Sequence, residues 1–417
     1  MLEEIGVGLL GLGNVAGSFL TLLEKNRALA EAKAGVRFSV KKILVRDLHK
    51  PRPFPLPPEI LTTRADDVLC HRDIQVVIEL MGGTRPAKDY ILKALEHGKD
   101  VVTANKEVLA HYGPELFRQA AATGRHILFE ASVGGAIPII RPLVESLSGN
   151  QIIRLSGILN GTTNFILTKM EEEGLPLESA LRLAQERGYC EADPSDDLEG
   201  RDAARKLAIL ASLAYNTVIT PDQIHTRGIT GLEPRDLALA KRLGYSIKLL
   251  AQAKKQEDDL ALSVEPFLIA RRKPLAQVHE NYNAILVEGD ASGETLFYGQ
   301  GAGGLATASS IMGDLIELAR LRPLPGPRWT FGGNGHYRVS SPLERPNAFY
   351  LRLGLSAGQG GGWPGALLSG QGIEIRTILQ EGDEAVILTG QTTAAKIQTA
   401  LARQESLRLR QILPLEA

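Results

Sequence analysis

Over its first 135 residues the chain alternates short apolar runs, each closed by glycine, proline or a polar turn, with stretches of helical spacing. Ile5-Gly6-Val7-Gly8-Leu9-Leu10 and residues 38–45, 73–81, 100–103 and 125–130 have the length and apolar character of buried strands. Helical patterns fill the intervals 14–24 and 86–97. Such alternation predicts an α/β fold with a parallel, Rossmann-like sheet over 1–135. Beyond it, strand-like runs at 152–159, 263–269 and 283–289 stand among helices, which predicts an α+β domain with a sheet of its own over 136–321. Its last helix, 307–321, is expected to pack back on the first domain. A proline cluster, Arg322-Pro323-Leu324-Pro325-Gly326-Pro327, opens a linker over 322–347. The tail, 348–417, reads strand, short helix, strand, turn, strand, helix, strand, the βαββαβ order of a ferredoxin-like module.

Chemistry enters where the glycines interrupt this pattern. Directly after the first strand comes Gly11-Leu12-Gly13-Asn14-Val15-Ala16, a Gly-x-Gly-x-x-Ala turn that lets backbone approach a pyrophosphate lying on a helix N-terminus. The second strand ends in Arg46-Asp47; a guanidinium there suits a 2'-phosphate, favouring NADP over NAD, although a solvated strand-end charge gives the same pattern. Gly82 follows the third strand, and Thr103-Ala104-Asn105-Lys106 closes the fourth as a turn. Ligands of parallel sheets lie beyond the carboxyl ends of the strands, which brings Gly82, Thr103, Asn105 and Lys106 into consideration. The loop from Glu130 through Val133, Gly135 and Ile137 to Pro138 offers a carboxylate and free carbonyls of the kind that surround a hard monovalent cation, or it is a hinge. A second glycine turn, 299–307, includes Gly303 and reads as a lid or a further cofactor contact.

The most charged stretch is 188–206. Gly188, Tyr189, Glu191, Asp193, Asp196, Asp197, Glu199 and Asp202 form an acidic loop, broken by Pro194 and Gly200, that feeds a helix continuing to Leu213. Carboxylates in this position form a solvated helix cap, or they share a site with Lys206, which the apolar helix 207–214 holds at its mouth. Asp202 and Lys206 are four apart and share a helix face, so a carboxylate and an amine project together. Upstream, Asn160-Gly161-Thr162-Thr163-Asn164 opens another helix, where Thr163 either caps the helix or faces a polar substrate.

Composition narrows the class. The chain has 417 residues and a formal net charge of -1, so no basic field favours nucleic acid or an anionic membrane. Two cysteines, Cys70 and Cys190, form no disulfide framework and are paired with no histidines at zinc spacing, which suits a reducing, cytoplasmic setting. No run approaches the ~20 apolar residues of a membrane span, and glycines interrupt the N-terminal apolar run, unlike a signal peptide.

Gly188-Tyr189-Cys190-Glu191-Ala192-Asp193-Pro194, with Asp196-Asp197-Leu198, Gly200, Asp202 and Lys206, resembles the signature of the homoserine dehydrogenase family, and the glycine turns, Thr103 to Lys106, the Glu130 loop and the Asn160 segment follow in that family's order. The resemblance implies reversible hydride transfer between NAD(P)H and L-aspartate 4-semialdehyde, giving L-homoserine on the way to threonine and methionine. It also implies a homodimer, with 1–135 as the nucleotide-binding domain and 136–321 as the catalytic and dimerisation domain, and a structural sodium or potassium ion held by Glu130 and the carbonyls of Val133, Gly135 and Ile137. Lys206 becomes the general acid/base, with Asp202 orienting it and Lys106 binding substrate or relaying the proton; Glu191 and Asp197 receive the substrate ammonium. Ala306 stands where the family usually has proline. The tail resembles an ACT domain, the family's amino-acid-sensing module with threonine as effector, but Gly358-Gln359-Gly360-Gly361-Gly362-Trp363-Pro364 replaces a compact turn and leaves 364–370 for the first helix. Two competing readings are another two-domain NAD(P) oxidoreductase on a small amino or keto acid, and a non-catalytic amino-acid sensor. Retention of both lysines and the acidic stretch disfavours the sensor.

Overall fold

The computed structural model describes the chain except residues 1, 53–55, 191, 334, 356–362, 403, 405 and 417. Chain contacts divide it into two compact units, each assembled from non-contiguous segments: Met1–Ile152, Arg205–Pro221 and Glu288–His336 form the first, Ile153–Ala204, Asp222–Val287 and Tyr337–Ala417 the second.

The first unit is built on six parallel strands, β1 (Glu4–Leu10), β2 (Arg37–Leu44), β3 (Leu61–Thr62), β4 (Val76–Glu79), β5 (Asp100–Thr103) and β6 (Ile127–Leu128), in the order β3-β2-β1-β4-β5-β6. The apolar runs of β1, β4, β5 and β6 are buried on both faces, as the interior of a parallel sheet requires, while Val40 of β2 and Leu61 of β3 towards the edge are partly buried. Ile5, Val7, Ile78 and Val102 share one core with Phe19 and Leu23 of the Asn14–Lys25 helix and with Ile311, Leu315 and Leu318 of the Gly304–Leu321 helix. Two strands are shorter than the sequence pattern predicts. Residues 80–83 leave β4 early because the loop is pulled to Asn105, and the chain after β6 turns into the short helix Glu130–Ser132. Lys106 does not sit in a turn; it is the first residue of the 18-residue helix Lys106–Thr123. Residues expected to be plain linker carry contacts here: Phe331 packs on Phe117 and Phe129.

In the second unit, β7 (Ile152–Ile158), β8 (His225–Thr226), β9 (Tyr245–Gln256), β10 (Asp259–Ala270) and β11 (Tyr282–Gly289) make a mixed sheet; β12 (Gly293–Gln300) belongs to the first unit. The 12-residue strands β9 and β10 pair antiparallel along their whole length, and β13 (Arg338–Ser340) adds to the edge of β10. Lys248 explains why the apolar pattern missed β9. It is 1% exposed, and its ammonium donates to Asn164 Oδ1 and the Val278 carbonyl. Burial lowers its pKa to about 8.

The C-terminal module has strands β14 (Phe349–Leu355), β15 (Ile375–Glu381), β16 (Glu384–Thr389) and β17 (Leu407–Pro414) in the antiparallel order β15-β16-β14-β17, with helices Trp363–Gly370 and Ala394–Leu401 packed on its core. This is the ferredoxin-like arrangement that the element order predicts. It is fastened within its unit by a bridge between Leu268 and Leu415 and by buried polar groups. Arg154 Nη1 reaches Glu416 Oε1 at 2.7 Å and Gln252 Nε2 reaches Glu416 Oε2 at 2.6 Å.

Candidate active site

Gly11 adopts φ +99°, and a Cβ there would lie 2.9 Å from the Leu80 carbonyl. A side chain is excluded twice over, by backbone strain and by space. At Gly13 the situation is reversed: it is the N-cap of the Asn14–Lys25 helix, no side chain caps it, and open space surrounds the position of a Cβ. The first-turn N–H groups and the positive end of the helix are therefore presented where an anion can approach. Gly304 packs beside the same helix, since a Cβ on it would meet Ser18 Oγ at 2.4 Å and Asn14 Oδ1 at 3.1 Å. Gly303, at φ +123°, makes the bend before it. Arg46 is exposed just beyond β2. The cradle fits a dinucleotide pyrophosphate on its own geometry. Gly11, Leu12, Gly13, Asn14 and Val15 would hold it.

Beneath this mouth lies a residue the sequence pattern hid. Glu79, fully buried at the end of β4, accepts from Met81 N at 2.7 Å and Thr103 Oγ1 at 2.6 Å. Thr103 Oγ1 in turn accepts from Asn105 N, and the Asn105 amide donates to the Met81 and Gly83 carbonyls while its Oδ1 caps Val108 N. Glu79, Thr103 and Asn105 thus tie the Gly82 loop to the start of the helix that carries Lys106. Burial pushes the Glu79 carboxyl up to about 7, against the pull of Thr103, Met81 N and Asn105.

The Glu130 loop is also internally tied. The Glu130 carboxylate accepts from the N–H groups of Ile139, Ile140 and Arg141, while its own N–H donates to Asp314 Oδ2 at 2.8 Å. Burial and the neighbouring Glu130 raise Asp314 well above the usual carboxylate range. Gly135 O accepts from Ser310 Oγ. The Glu130 side chain is thus engaged as a helix cap, which leaves carbonyl oxygens such as those of Val133 and Ile137 as the hard donors the loop offers. Among the described residues no group of three or more His, Cys, Asp and Glu is arranged to hold a metal ion.

The acidic stretch folds around Asn160. Its Oδ1 accepts from Thr163 N at 2.9 Å as the N-cap of the Gly161–Glu173 helix, and its Nδ2 donates to Asp197 Oδ1 at 2.6 Å and Asp202 Oδ2 at 2.9 Å. The Thr163 hydroxyl donates back to the Asn160 carbonyl and Oδ1, so the cap itself is Asn160 and Thr163 steadies it. Thr162 Oγ1 donates to the Tyr189 carbonyl, fixing the loop that begins at Gly188, and the Tyr189 ring stacks edge-on against Phe165. Asp193 accepts from Ser195 N, and Asp196 pairs with Arg201 at the exposed rim. Glu191 lies outside the described residues. Instead of running as one loop into the helix, the stretch contains a separate turn of helix, Ser195–Leu198, before the Arg201–Ala214 helix that carries both Asp202 and Lys206. Asp202 is buried and Lys206 half-buried, one turn apart. The sequence places Asn160 in a capping segment but does not show its carboxylate partners, and it does not show Glu79, because these partners are distant in the chain.

A Bacillus subtilis protein named homoserine dehydrogenase is 40% identical over 415 residues, covering 97% of this chain and 96% of its own. The chain belongs to the homoserine dehydrogenase family. Two family models agree, "Homoserine dehydrogenase, NAD binding domain" over residues 11–130 and "Homoserine dehydrogenase" over 138–316. The crystal structure of a homoserine dehydrogenase from Thiobacillus denitrificans matches with a TM-score of 0.91 at 36% identity, covering 100% of this chain and 99% of that one. A hyperthermophilic archaeal homoserine dehydrogenase solved in complex with NADPH matches at 28% identity and TM-score 0.65, with all of that chain against 78% of this one. The family assignment makes the chain an oxidoreductase with a nucleotide-binding Rossmann-like domain. No helix among the described residues is long and apolar enough to cross a membrane.

Proposed function

We propose that the chain catalyses the reversible reduction of L-aspartate 4-semialdehyde to L-homoserine, with NADPH preferred to NADH, in a cytoplasmic route to threonine and methionine. The observation that carries this reading is the pair of carboxylates gathered by Asn160, one of them a helical turn before Lys206. A zwitterionic amino aldehyde needs anionic partners for its ammonium and a proton donor at its carbonyl. Glu191 and Asp197 take the ammonium, with Gly188, Tyr189, Asp193, Asp196 and Thr163 shaping the surroundings. A bound nicotinamide would supply the hydride that the aldehyde carbon receives. As the C=O π pair becomes an alkoxide lone pair, the Lys206 ammonium gives that oxygen a proton, and the amine left behind regains one from solvent. Asp202 orients Lys206; Lys106, at a helix N-terminus, binds substrate or relays the proton. The test is NADPH oxidation by the purified protein with L-aspartate 4-semialdehyde. Binding of NADPH without oxidation removes the proposal.

The exposed Arg46 supports a 2'-phosphate contact, and the archaeal homologue's NADPH complex is compatible with it. Arg46→Ala is expected to lower the NADPH-to-NADH ratio of kcat/KM by roughly tenfold, from the loss of one charge-assisted contact. An unchanged ratio sinks the preference.

Three associated roles rest on the same reading. The carbonyls of the Glu130 loop support a structural sodium or potassium ion; activity and melting midpoint that are indifferent to exchange into a tetramethylammonium salt argue against it. The ferredoxin-like tail supports an ACT-like role with threonine as effector, and a flat threonine titration removes that role. A sedimentation mass equal to one chain removes the homodimer.

A further inference from the structure

We infer that Asn160 is a positioning residue that sets substrate selectivity by holding Asp197 and Asp202 around one amide nitrogen; the inference rests on reading the acidic stretch as the ammonium site. The amide has one possible orientation. Its oxygen is needed by Thr163 N, and reversing it would set an NH2 group against that N–H. Both amide hydrogens therefore face carboxylates, one for Asp197 and one for Asp202.

Asn160 is itself held by the body of the fold. It is 5% exposed. The next residue, Gly161, lies so close to a neighbouring strand end that a Cβ would be 2.6 Å from the Asn281 carbonyl. One turn on, the Asn164 amide donates to the carbonyls of Val278, Glu280 and Tyr282. The start of the Gly161–Glu173 helix cannot shift without breaking these bonds, so the carboxylates follow the amide rather than the amide the carboxylates. Two like charges side by side repel, and the two N–H bonds offset that repulsion. The amide thereby fixes the carboxylate assigned to the substrate ammonium relative to the one assigned to orienting Lys206. An aldehyde lacking the amino group gains nothing from the first of these.

The test compares kcat/KM for L-aspartate 4-semialdehyde and succinate semialdehyde in wild type, Asn160→Ser and Asn160→Asp. Serine keeps an oxygen able to cap the helix, so its melting midpoint stays near wild type, whereas the third carboxylate of Asn160→Asp lowers the midpoint and the serine variant carries the test. Serine removes the second donor, and aspartate adds a third carboxylate. Because Asp202 also orients Lys206, Asn160→Ser is expected to lower kcat/KM for both aldehydes, but the loss with the amino aldehyde should exceed that with succinate semialdehyde by roughly tenfold or more. Equal losses on both substrates, or no loss on either, reduce Asn160 to a cap and overturn the inference while leaving the reaction standing. A wild type inactive on the amino aldehyde overturns the reaction and the inference together.

Discussion

Lys206→Ala is expected to lower kcat for aldehyde reduction by roughly 10²- to 10⁴-fold, the usual contribution of a positioned general acid, while NADPH affinity and melting midpoint stay close to wild type. The expectation follows from where the side chain sits. Lys206 is half-buried within the Arg201–Ala214 helix, and the residues that follow it, Leu207 to Ala211, are 0% exposed. Its backbone is therefore fixed by the helix core, and alanine maintains the helix with no propensity cost. What alanine removes is the ammonium one turn beyond Asp202, a residue itself held by Asn160. Single-turnover reduction, with NADPH oxidation observed directly, separates the proton-donating role from binding. A slowed chemical step with unchanged NADPH binding supports proton donation by Lys206. Retention of the wild-type rate within about threefold assigns the proton to another group, Lys106 first among those considered. Lys106→Ala in the same assay distinguishes them, because a binding or relay role raises KM or lowers kcat without matching the Lys206 loss.

Local chemistry was legible in the sequence, and long-range chemistry was not. The Gly11 turn could be read because its φ of +99° and its contact with the Leu80 carbonyl admit only glycine, and because the strand and helix on either side follow from adjacent residues. The order of the tail was readable for the same reason: each strand and turn is signalled locally, including Gly382 at φ +62° between β15 and β16. Glu79 was invisible because a lone acid in an apolar run looks like a strand interior, and its hydroxyl partner, Thr103, lies 24 residues on. Asn160 was read as part of a capping segment, which it is, but the carboxylates it also serves are 37 and 42 residues away. The helix Lys106–Thr123 was missed where Gly113 and Pro114 interrupt an otherwise helical pattern. β9 was missed because charge at Lys248 masks a fully buried position whose partners come from Asn164 and Val278. A linear division of domains likewise does not anticipate compact units assembled from three separated segments each.

Removing Arg352 should destabilise the second unit by about 3–5 kcal/mol, the cost typical of breaking a buried ion pair on one side. Arg352 is 3% exposed, and its guanidinium donates from Nε to Asp236 Oδ1 at 2.8 Å, from Nη2 to Glu233 Oε2 at 2.9 Å and from Nη1 to Glu384 Oε1 at 2.8 Å. It joins β14 and β16 of the C-terminal module to the Pro234–Arg242 helix. Asp236 is 0% exposed and also accepts from Glu233 N. Burial raises its carboxyl above the ordinary range, while the Glu233 N–H and Arg352 pull the other way. Arg352→Met removes that pull and leaves a carboxylate without its cation, so Asp236 rises further. The sign follows from linkage: a carboxyl raised in the folded state favours the fold most below its unfolded pKa and loses that advantage as pH rises through its folded pKa. The deficit relative to wild type should therefore be smallest in acid and grow towards pH 8. Urea unfolding at several pH values, followed by circular dichroism and tryptophan emission, measures it. Adding Asp236→Asn to Arg352→Met should recover a large part of the loss, because the amide oxygen can still accept from Glu233 N and no buried charge remains uncompensated. A single-variant loss below about 1 kcal/mol, or a loss independent of pH, would mean that solvent reaches Asp236 when the arginine is removed, and that apolar packing rather than this ion pair holds the module to its helix.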